Sequence, residues 1–345
     1  MKHWKKLLSL TLVLALVLAL AGCGGTDTQD TETEEQTQTE EQAEEPVTGE
    51  SYAIAALKGP TAMGLVKLMS EAESGADFIN GYTFTLAASA DEVSPLLMKG
   101  ELDMACVPAN LAAVLYQKTE GDIVTLAVNT LGVLYIVENG NAVQSMADLK
   151  GKTIVASGKG STPEYALRYL LSENGLDPDT DVTIDWKSEH SECVSALATG
   201  AATIAMLPQP FVTVAQSKIE GLRVALDLTE QWDALDNGSA LLTGVIVARR
   251  EVVEANPAAV DAFLADYAAS VAWVNANTAD AAELIGSYDI VEAAVAEKAL
   301  PYCNIVCITG AEMKDKLSGY LQVLADADAS SVGGAMPGDD FYYGA

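Results

Sequence analysis

Short runs that are apolar on both faces alternate along this chain with longer stretches whose apolar positions recur every three or four residues. Residues 102–107 and 203–207 are runs of the first kind, the pattern of strands buried on both sides of a parallel sheet, and upstream of them residues 52–57 and 153–157 read as strands that echo each other. Each is followed by a turn containing Gly or Pro and then by a helical pattern. The order repeats itself. Residues 92–118 laid on 192–218 give identities at Glu92/Glu192, Leu97/Leu197, Gly100/Gly200, Ala105/Ala205, Pro108/Pro208, Val114/Val214 and Lys118/Lys218, seven in 27 without a gap. Both halves therefore read β-α-β-α, which predicts parallel sheets with right-handed crossovers.

Residues 123–137 form a long apolar strand with Thr130, Leu131 and Gly132 in its middle, and residues 240–248 carry Thr243 and Gly244 in theirs. These two are the expected crossings between lobes. Beyond Arg250 the pattern is helical, with a stripe at Val253, Val260, Phe263, Leu264, Tyr267 and Val271 in a helix over 252–275. Shorter helices follow to Leu324, and this part is expected to return to the first lobe. The fold class is α/β, a two-lobed clamp in which each lobe is a β/α sheet. A ligand site belongs in its cleft. The expected divisions are 1–22, 23–50, a first lobe of 51–132 with 243–345, and a second lobe of 133–242.

The amino terminus has a different character. Lys2, Lys5 and Lys6 precede an apolar run over 7–21 that is too short for a membrane-spanning helix and ends in Leu20-Ala21-Gly22-Cys23. This resembles a bacterial lipobox, which implies a diacylglycerol on the Cys23 thiol, cleavage before it and acylation of the new amine. Multiple acyl chains give stable anchoring. Residues 24–50 are Thr, Gln, Glu and Asp without an aromatic, an expected disordered, self-repelling tether. Of 345 residues, 19 are basic and 49 acidic, a net charge of −30. The part after residue 50 holds 16 basic against 39 acidic residues, or −23. Nucleic acid, which needs clustered cations, is excluded as a primary partner, and docking on an anionic membrane surface is disfavoured.

Candidate chemistry sits where strands run into helices, because ligands of open parallel sheets meet the carboxyl ends of strands. Four such junctions contain Pro: Lys58-Gly59-Pro60-Thr61, Val107-Pro108-Ala109-Asn110, Gly158 to Glu164, and Leu207-Pro208-Gln209-Pro210-Phe211. From these and the first crossing come the candidate ligand residues Gly59, Pro60, Thr61, Pro108, Asn110, Thr130, Gly158, Lys159, Gly160, Ser161, Thr162 and Gln209. In the third junction, Ser161-Thr162-Pro163-Glu164 also fits a capping box in which Glu164 folds back on the helix start. A carboxylate there competes with an anionic ligand, Lys159 offsets it, and none of the four junctions contains Arg. A polar or zwitterionic organic ligand is favoured over a doubly charged inorganic anion.

His190 is the one His after the signal, and its counterpart at the 100-residue shift is Ala90, so packing does not require it. It is a candidate to face the cleft, against the alternative of a solvated helix cap. Trp186, Tyr165, Tyr116 and Trp232 are candidates to stack on a planar ligand, or else edge-of-core aromatics. Cys106 and Cys193 occupy apolar positions and are expected as buried free thiols, while Cys303 and Cys307, four apart, are spaced to touch on a helix. No metal site built of several imidazoles is possible. No G-x-S-x-G and no phosphate loop of the P-loop type occurs, so no enzyme activity and no cofactor are expected.

The lipobox, the acidic tether, Leu57-Lys58-Gly59-Pro60-Thr61, Gly100-Glu101-Leu102-Asp103 before a strand, Ala147-Asp148-Leu149-Lys150-Gly151-Lys152 before Thr153, and Pro208-Gln209-Pro210 after a strand together resemble one family. It is the solute-binding lipoproteins of the nitrate, sulfonate and taurine class of ABC importers, which includes receptors for thiamine-pyrimidine precursors. The resemblance spans about residues 51–330. It implies a type II periplasmic-binding-protein fold, a ligand held between the lobes (sulfonate, nitrate-like, pyrimidine-like or another small organic molecule), and delivery to ABC permease and ATPase subunits. A lipid-anchored (palmitate-bearing) monomer on the extracytoplasmic face of the cell membrane is the expected form. The alternatives are a ligand-sensing surface lipoprotein and a pyrimidine-synthesis-like enzyme on the same fold.

Overall fold

In the computed structural model, residues 48–345 are described; Cys23, where the lipid anchor is expected, and nearly all of the acidic tether lie outside them. The first half begins with strand β1 (Ser51–Leu57), helices α1 (Pro60–Met63) and α2 (Val66–Glu73), and strand β2 (Gly81–Ala87). It continues with α3 (Ala90–Met98), β3 (Met104–Pro108), α4 (Ala109–Lys118) and β4 (Ile123–Leu131). The long apolar stretch then breaks at Gly132-Val133 and resumes as β5 (Leu134–Glu138).

The second half follows the same plan, with β6 (Thr153–Ser157), α5 (Thr162–Glu173), β7 (Thr183–Lys187), α6 (His190–Ala198) and β8 (Ile204–Pro208). Helix α7 (Phe211–Lys218), β9 (Arg223–Asp227), α8 (Leu228–Asp233) and β10 (Leu242–Arg249) complete it. The remainder is α9 (Arg250–Ala255), α10 (Pro257–Ala276), α11 (Thr278–Ser287), α12 (Ala293–Ala299), β11 (Ile305–Ile308) and α13 (Gly310–Ala327). Short 3-10 turns at Ala329–Val332 and Asp339–Phe341 end the chain.

The strands form two sheets, of order β11-β4-β10-β3-β1-β2 and β7-β6-β8-β5-β9. Apart from β11 the two orders are the same pattern. Within each, the half's own strands are parallel, and one antiparallel strand is inserted from elsewhere: β10 between β3 and β4, and β5 between β8 and β9. Each half thus sends the strand after its last parallel strand into the other half's sheet. The expected two-lobed α/β clamp is the observed fold, and the 100-residue repeat is structural: β3 and β8, like α3 and α6, begin 100 positions apart.

Three details depart from the sequence pattern. Strand β2 is passed over by it because Gly81–Ala87 lies at a sheet edge and alternates exposed with half-buried positions instead of running apolar. Residues 305–308, read as helical, form β11 against β4, so Cys303 and Cys307 do not share a helix. The first passage between sheets is the break at Gly132-Val133, whereas the second runs through α8 and the segment 234–241. Thr243 and Gly244 already lie in β10, with Gly244 paired to Pro108 and Thr130.

The C-terminal part does return to the first sheet. Helix α10 packs Phe263, Tyr267 and Val271 on α2 and β11, splitting from α9 at Asn256-Pro257, where Asn256 caps the new helix by accepting from the Ala259 N–H at 3.1 Å. Helix α13 buries Leu317, Tyr320, Leu321 and Leu324 in a cluster that runs continuously from Val107 and Val128 of the first sheet to Ile136 and Ile154 of the second. All four Cys of the described residues are free, and burial pushes the Cys106 thiol up to about 12 and raises that of Cys193, as expected of packed apolar thiols.

Candidate functional site

The parallel strands of each sheet end on one edge, and from those edges the junction loops start. Gly59, with φ +145°, caps α1, and its carbonyl accepts the Ala62 and Met63 N–H groups. Pro60 opens the helix, and Thr61, nearly buried, donates its hydroxyl to Leu57 O at 3.0 Å. Beside it the Asn129 amide donates to Thr61 O at 3.2 Å, and the Thr130 hydroxyl donates to Asn129 Oδ1 at 3.0 Å, so buried Asn129 and Thr130 tie the end of β4 to the first loop. Pro108 ends β3 and starts α4. Asn110 follows, 2% exposed, donating its amide to Ser331 O at 3.2 Å.

The second sheet presents Ser157, Gly158, Lys159, Gly160, Ser161 and Thr162 at the end of β6. Gly158 and Gly160 take φ +83° and +77°, the left-handed turn that a Cβ disfavours. Lys159 projects at the exposed tip and makes no ion pair among the described residues. The Glu164 carboxylate folds back as expected but accepts from the N–H of Gly160, at 2.7 Å, one residue earlier than a capping box would place it. Thr162, fully buried, donates to Asn110 Oδ1 at 3.4 Å and accepts from the Tyr320 hydroxyl at 3.2 Å. That pair joins a loop of the second sheet to a loop of the first.

His190 starts α6 half-buried, its Nδ1 hydrogen-bonded to Ser157 Oγ and its ring 4.9 Å from that of Phe211. It is not a solvated cap; burial lowers its pKa to about 4, so the ring is neutral near pH 7. Gln209 is 4% exposed. Its Oε1 accepts from the Thr213 hydroxyl at 2.9 Å, and its backbone N–H donates to Val133 O at 3.0 Å, beside the first passage between sheets. Its side-chain NH₂ has no partner among the described residues.

Residues that sequence reasoning missed complete this edge. Tyr320 and Ser331 arrive from the C-terminal part, and Thr229 packs its hydroxyl against Gly132. The hydroxyls of Thr229, Thr243 and Ser331 are buried without a partner. Of the candidate aromatics, Trp232 is fully buried between Tyr169 and Tyr320, and Tyr116 stacks edge-on with Phe341 at the far end of α4. Tyr165 lines an outer groove of about 770 Å³ between α5 and α13, and Trp186 a smaller hollow of about 240 Å³ beside Arg168. No group of three or more His, Cys, Asp or Glu residues among the described ones is placed to hold a metal ion.

Thr162 and Asn110 thus bring the loop edge of one sheet onto that of the other. A family model described as ABC transporter, phosphonate, periplasmic substrate-binding protein matches residues 72–298. The chain belongs to this family. It is therefore an extracytoplasmic substrate-binding protein of an ABC importer, the class that its loop motifs resemble. Solved structures similar to this substrate-binding protein include an ABC transporter from Parabacteroides distasonis, at 22% identity and a TM-score of 0.71, covering 85% of this chain and 98% of that one. The aliphatic sulphonate binding protein SsuA of Escherichia coli aligns at 20% identity and a TM-score of 0.67, over 81% of this chain and 92% of its own. The nitrate-binding protein NrtA of Synechocystis aligns at 15% identity and a TM-score of 0.51, over 70% and 66%. At these identities they speak for the shared fold. Among curated proteins none matches the chain.

Proposed function

We propose that this substrate-binding protein is a monomer anchored to the membrane through lipid on Cys23, and that it holds a small polar organic solute between its lobes for delivery to a permease and ATPase. The first lobe is taken as 51–132 with 243–345 and the second as 133–242, moving about the two passages. No helix of the described residues is long and apolar enough to cross a membrane; the attachment proposed is through acyl chains on the lipobox cysteine. The proposed ligand contacts are Gly59, Pro60, Thr61, Pro108, Asn110 and Thr130 on one side, and Gly158 to Thr162, His190 and Gln209 on the other.

The observation that carries the reading is the hydrogen bond from Thr162 to Asn110, which brings the α5 start of one sheet onto the α4 start of the other. Native mass spectrometry of the full chain, incubated with a small-molecule cell extract, tests it. The expected result is one captured species, with occupancy at least about tenfold lower in Asn110→Ala because a proposed ligand contact is removed. Equal capture by that variant, shown folded by its melting curve, would move the site elsewhere. For the anchor, Cys23→Ser is expected to release the protein from the membrane fraction with the melting curve unchanged; persistent attachment would remove the lipid from the account.

A further inference from the structure

We propose that the outer groove between α5 and α13 is a docking site for a Lys- and Arg-bearing segment of the importer's membrane subunit. This rests on the protein delivering its solute to that subunit.

The groove, of about 770 Å³, has an apolar strip along each helix, Tyr165 and Tyr169 on α5 and Val323 and Ala327 on α13, each pair four positions apart and so on one helix face. Four carboxylates line it beside these strips. Glu164 and Glu173 come from α5, Asp326 from α13 and Asp328 from just past its end, and none of the four forms an ion pair among the described residues. The base in the lining, Arg168, is already paired at 2.8 Å with Asp179, so it offsets none of them. Their fields converge on the strip: burial raises the Tyr165 phenol, and the charges of Asp328 and Glu164 raise it further.

An apolar strip between unpaired carboxylates suits a chain that brings hydrocarbon and positive charge together, as Lys and Arg side chains do. From Glu164 to Glu173 the groove runs about 14 Å along α5, room for about four residues of extended chain. A free small cation fits less well. Glu173, Asp326 and Asp328 are exposed, so such a ligand would stay largely in water, whereas small-molecule sites bury most of their ligand. A second copy of the chain is repelled, since the part after residue 50 carries 16 basic against 39 acidic residues. Position in the fold favours the importer as the source. Helix α5 follows β6 of the second sheet and α13 packs on β4 of the first, with the Tyr320 to Thr162 bond, 3.2 Å, between them. A segment lying in the groove touches both helices at once, beside the loop edges from which a solute would leave.

The test uses the full chain in its own cells. A benzoylphenylalanine photocrosslinker is placed at Ala327, in the groove, or at Lys159, at the exposed tip of a loop edge, and the adducts formed on irradiation are identified by peptide mass spectrometry. The expected result is an adduct at Ala327 with a membrane subunit of the importer, joined within a segment that bears Lys or Arg. Reversing two groove charges in that background, Glu173→Lys with Asp326→Lys, should lower the yield at least about fivefold, as should about 0.5 M NaCl on the parent chain. Asp280→Lys with Glu283→Lys makes the same change of charge at exposed positions of α11 and should leave the yield within about twofold. Melting curves establish that each variant is folded. An adduct with the subunit at Lys159 alone would overturn the groove and leave the delivery reading intact, whereas no adduct at either position would count against both. Joining at Ala327 to a segment without basic residues, to lipid or to another copy of this chain would overturn the proposal. Equal losses in the two double variants would overturn it too, since overall charge alone would then explain the attraction.

Discussion

The two halves match along their outer edges and match only in part at the loop edges, where Pro108 and Pro208 agree but their neighbours differ. At the outer edge, Gly100 and Gly200 follow α3 and α6 with φ of 76° and 72°, each turning the chain into β3 or β8. Inside, Ala105 and Ala205 hold matching buried places. At the cleft edge the same superposition sets Ala90 against His190, Asn110 against Pro210, and Cys106 against Met206 one turn below. A helix start serves equally well with Ala or His, since both α3 and α6 form. The chemistry at the cleft edge is therefore not demanded by folding, and the outer edge is.

This contrast can be broken most severely at Gly132, in the first passage between the sheets. A Cβ on Gly132 would clash with Thr229 Oγ1 and sit 3.2 Å from Leu241 Cδ2, both in or near the second passage. Gly132→Ala is expected to cost about 3 kcal/mol, because Thr229 and Leu241 side-chain atoms would all have to give way. Chemical denaturation measures it; a loss below about 1 kcal/mol would mean that the two passages are not packed on each other in solution.

Next in size is the pH response of His190, which Ala90 cannot share. Unfolded, the imidazole takes a proton near pH 6.5, whereas the folded ring, disfavoured by burial, resists until about 4. In that window the unfolded chain binds more protons, so stability is full above 6.5 and falls as the pH drops toward 4. Discounted for partial exposure, the contribution is about 2 kcal/mol. His190→Ala should reduce by that amount the difference in unfolding free energy between pH 7 and pH 4. An unchanged difference would show the ring to be open to water. The smallest effects belong to the matched glycines. Gly100→Ala and Gly200→Ala should each cost about 1 kcal/mol, since both place a side chain in the left-handed region. Unequal melts would break the equivalence of the two outer edges.

Much of this molecule is legible because its signals are local. The strand over 153–157 coincides with β6 since its middle, Ile-Val-Ala, is apolar and buried without alternation, and Gly59, Asn110, Thr162 and Gln209 lie at strand ends because Pro marks the helix starts beside them. The edge strand β2 and the four-residue β11 escape the same reading, the one for its mixed faces and the other for its brevity among helices. Ser331 and Tyr320 escape it entirely. Ser331 meets Asn110 across 221 positions and Tyr320 meets Thr162 across 158, and no periodicity connects residues that far apart.

By itself, then, the sequence determined the unit of construction, a β/α segment used twice, because hydrophobic period and turn chemistry act over a few residues. Only the tertiary structure decided that β5 and β10 change places between the sheets. An apolar strand has the same pattern whichever neighbour it pairs with, and only chain reach and packing of the remaining edges select one. That exchange brings the Thr162 loop of one sheet onto the Asn110 loop of the other. The strands' directions set this outcome, and direction in space is not written in the order of residues.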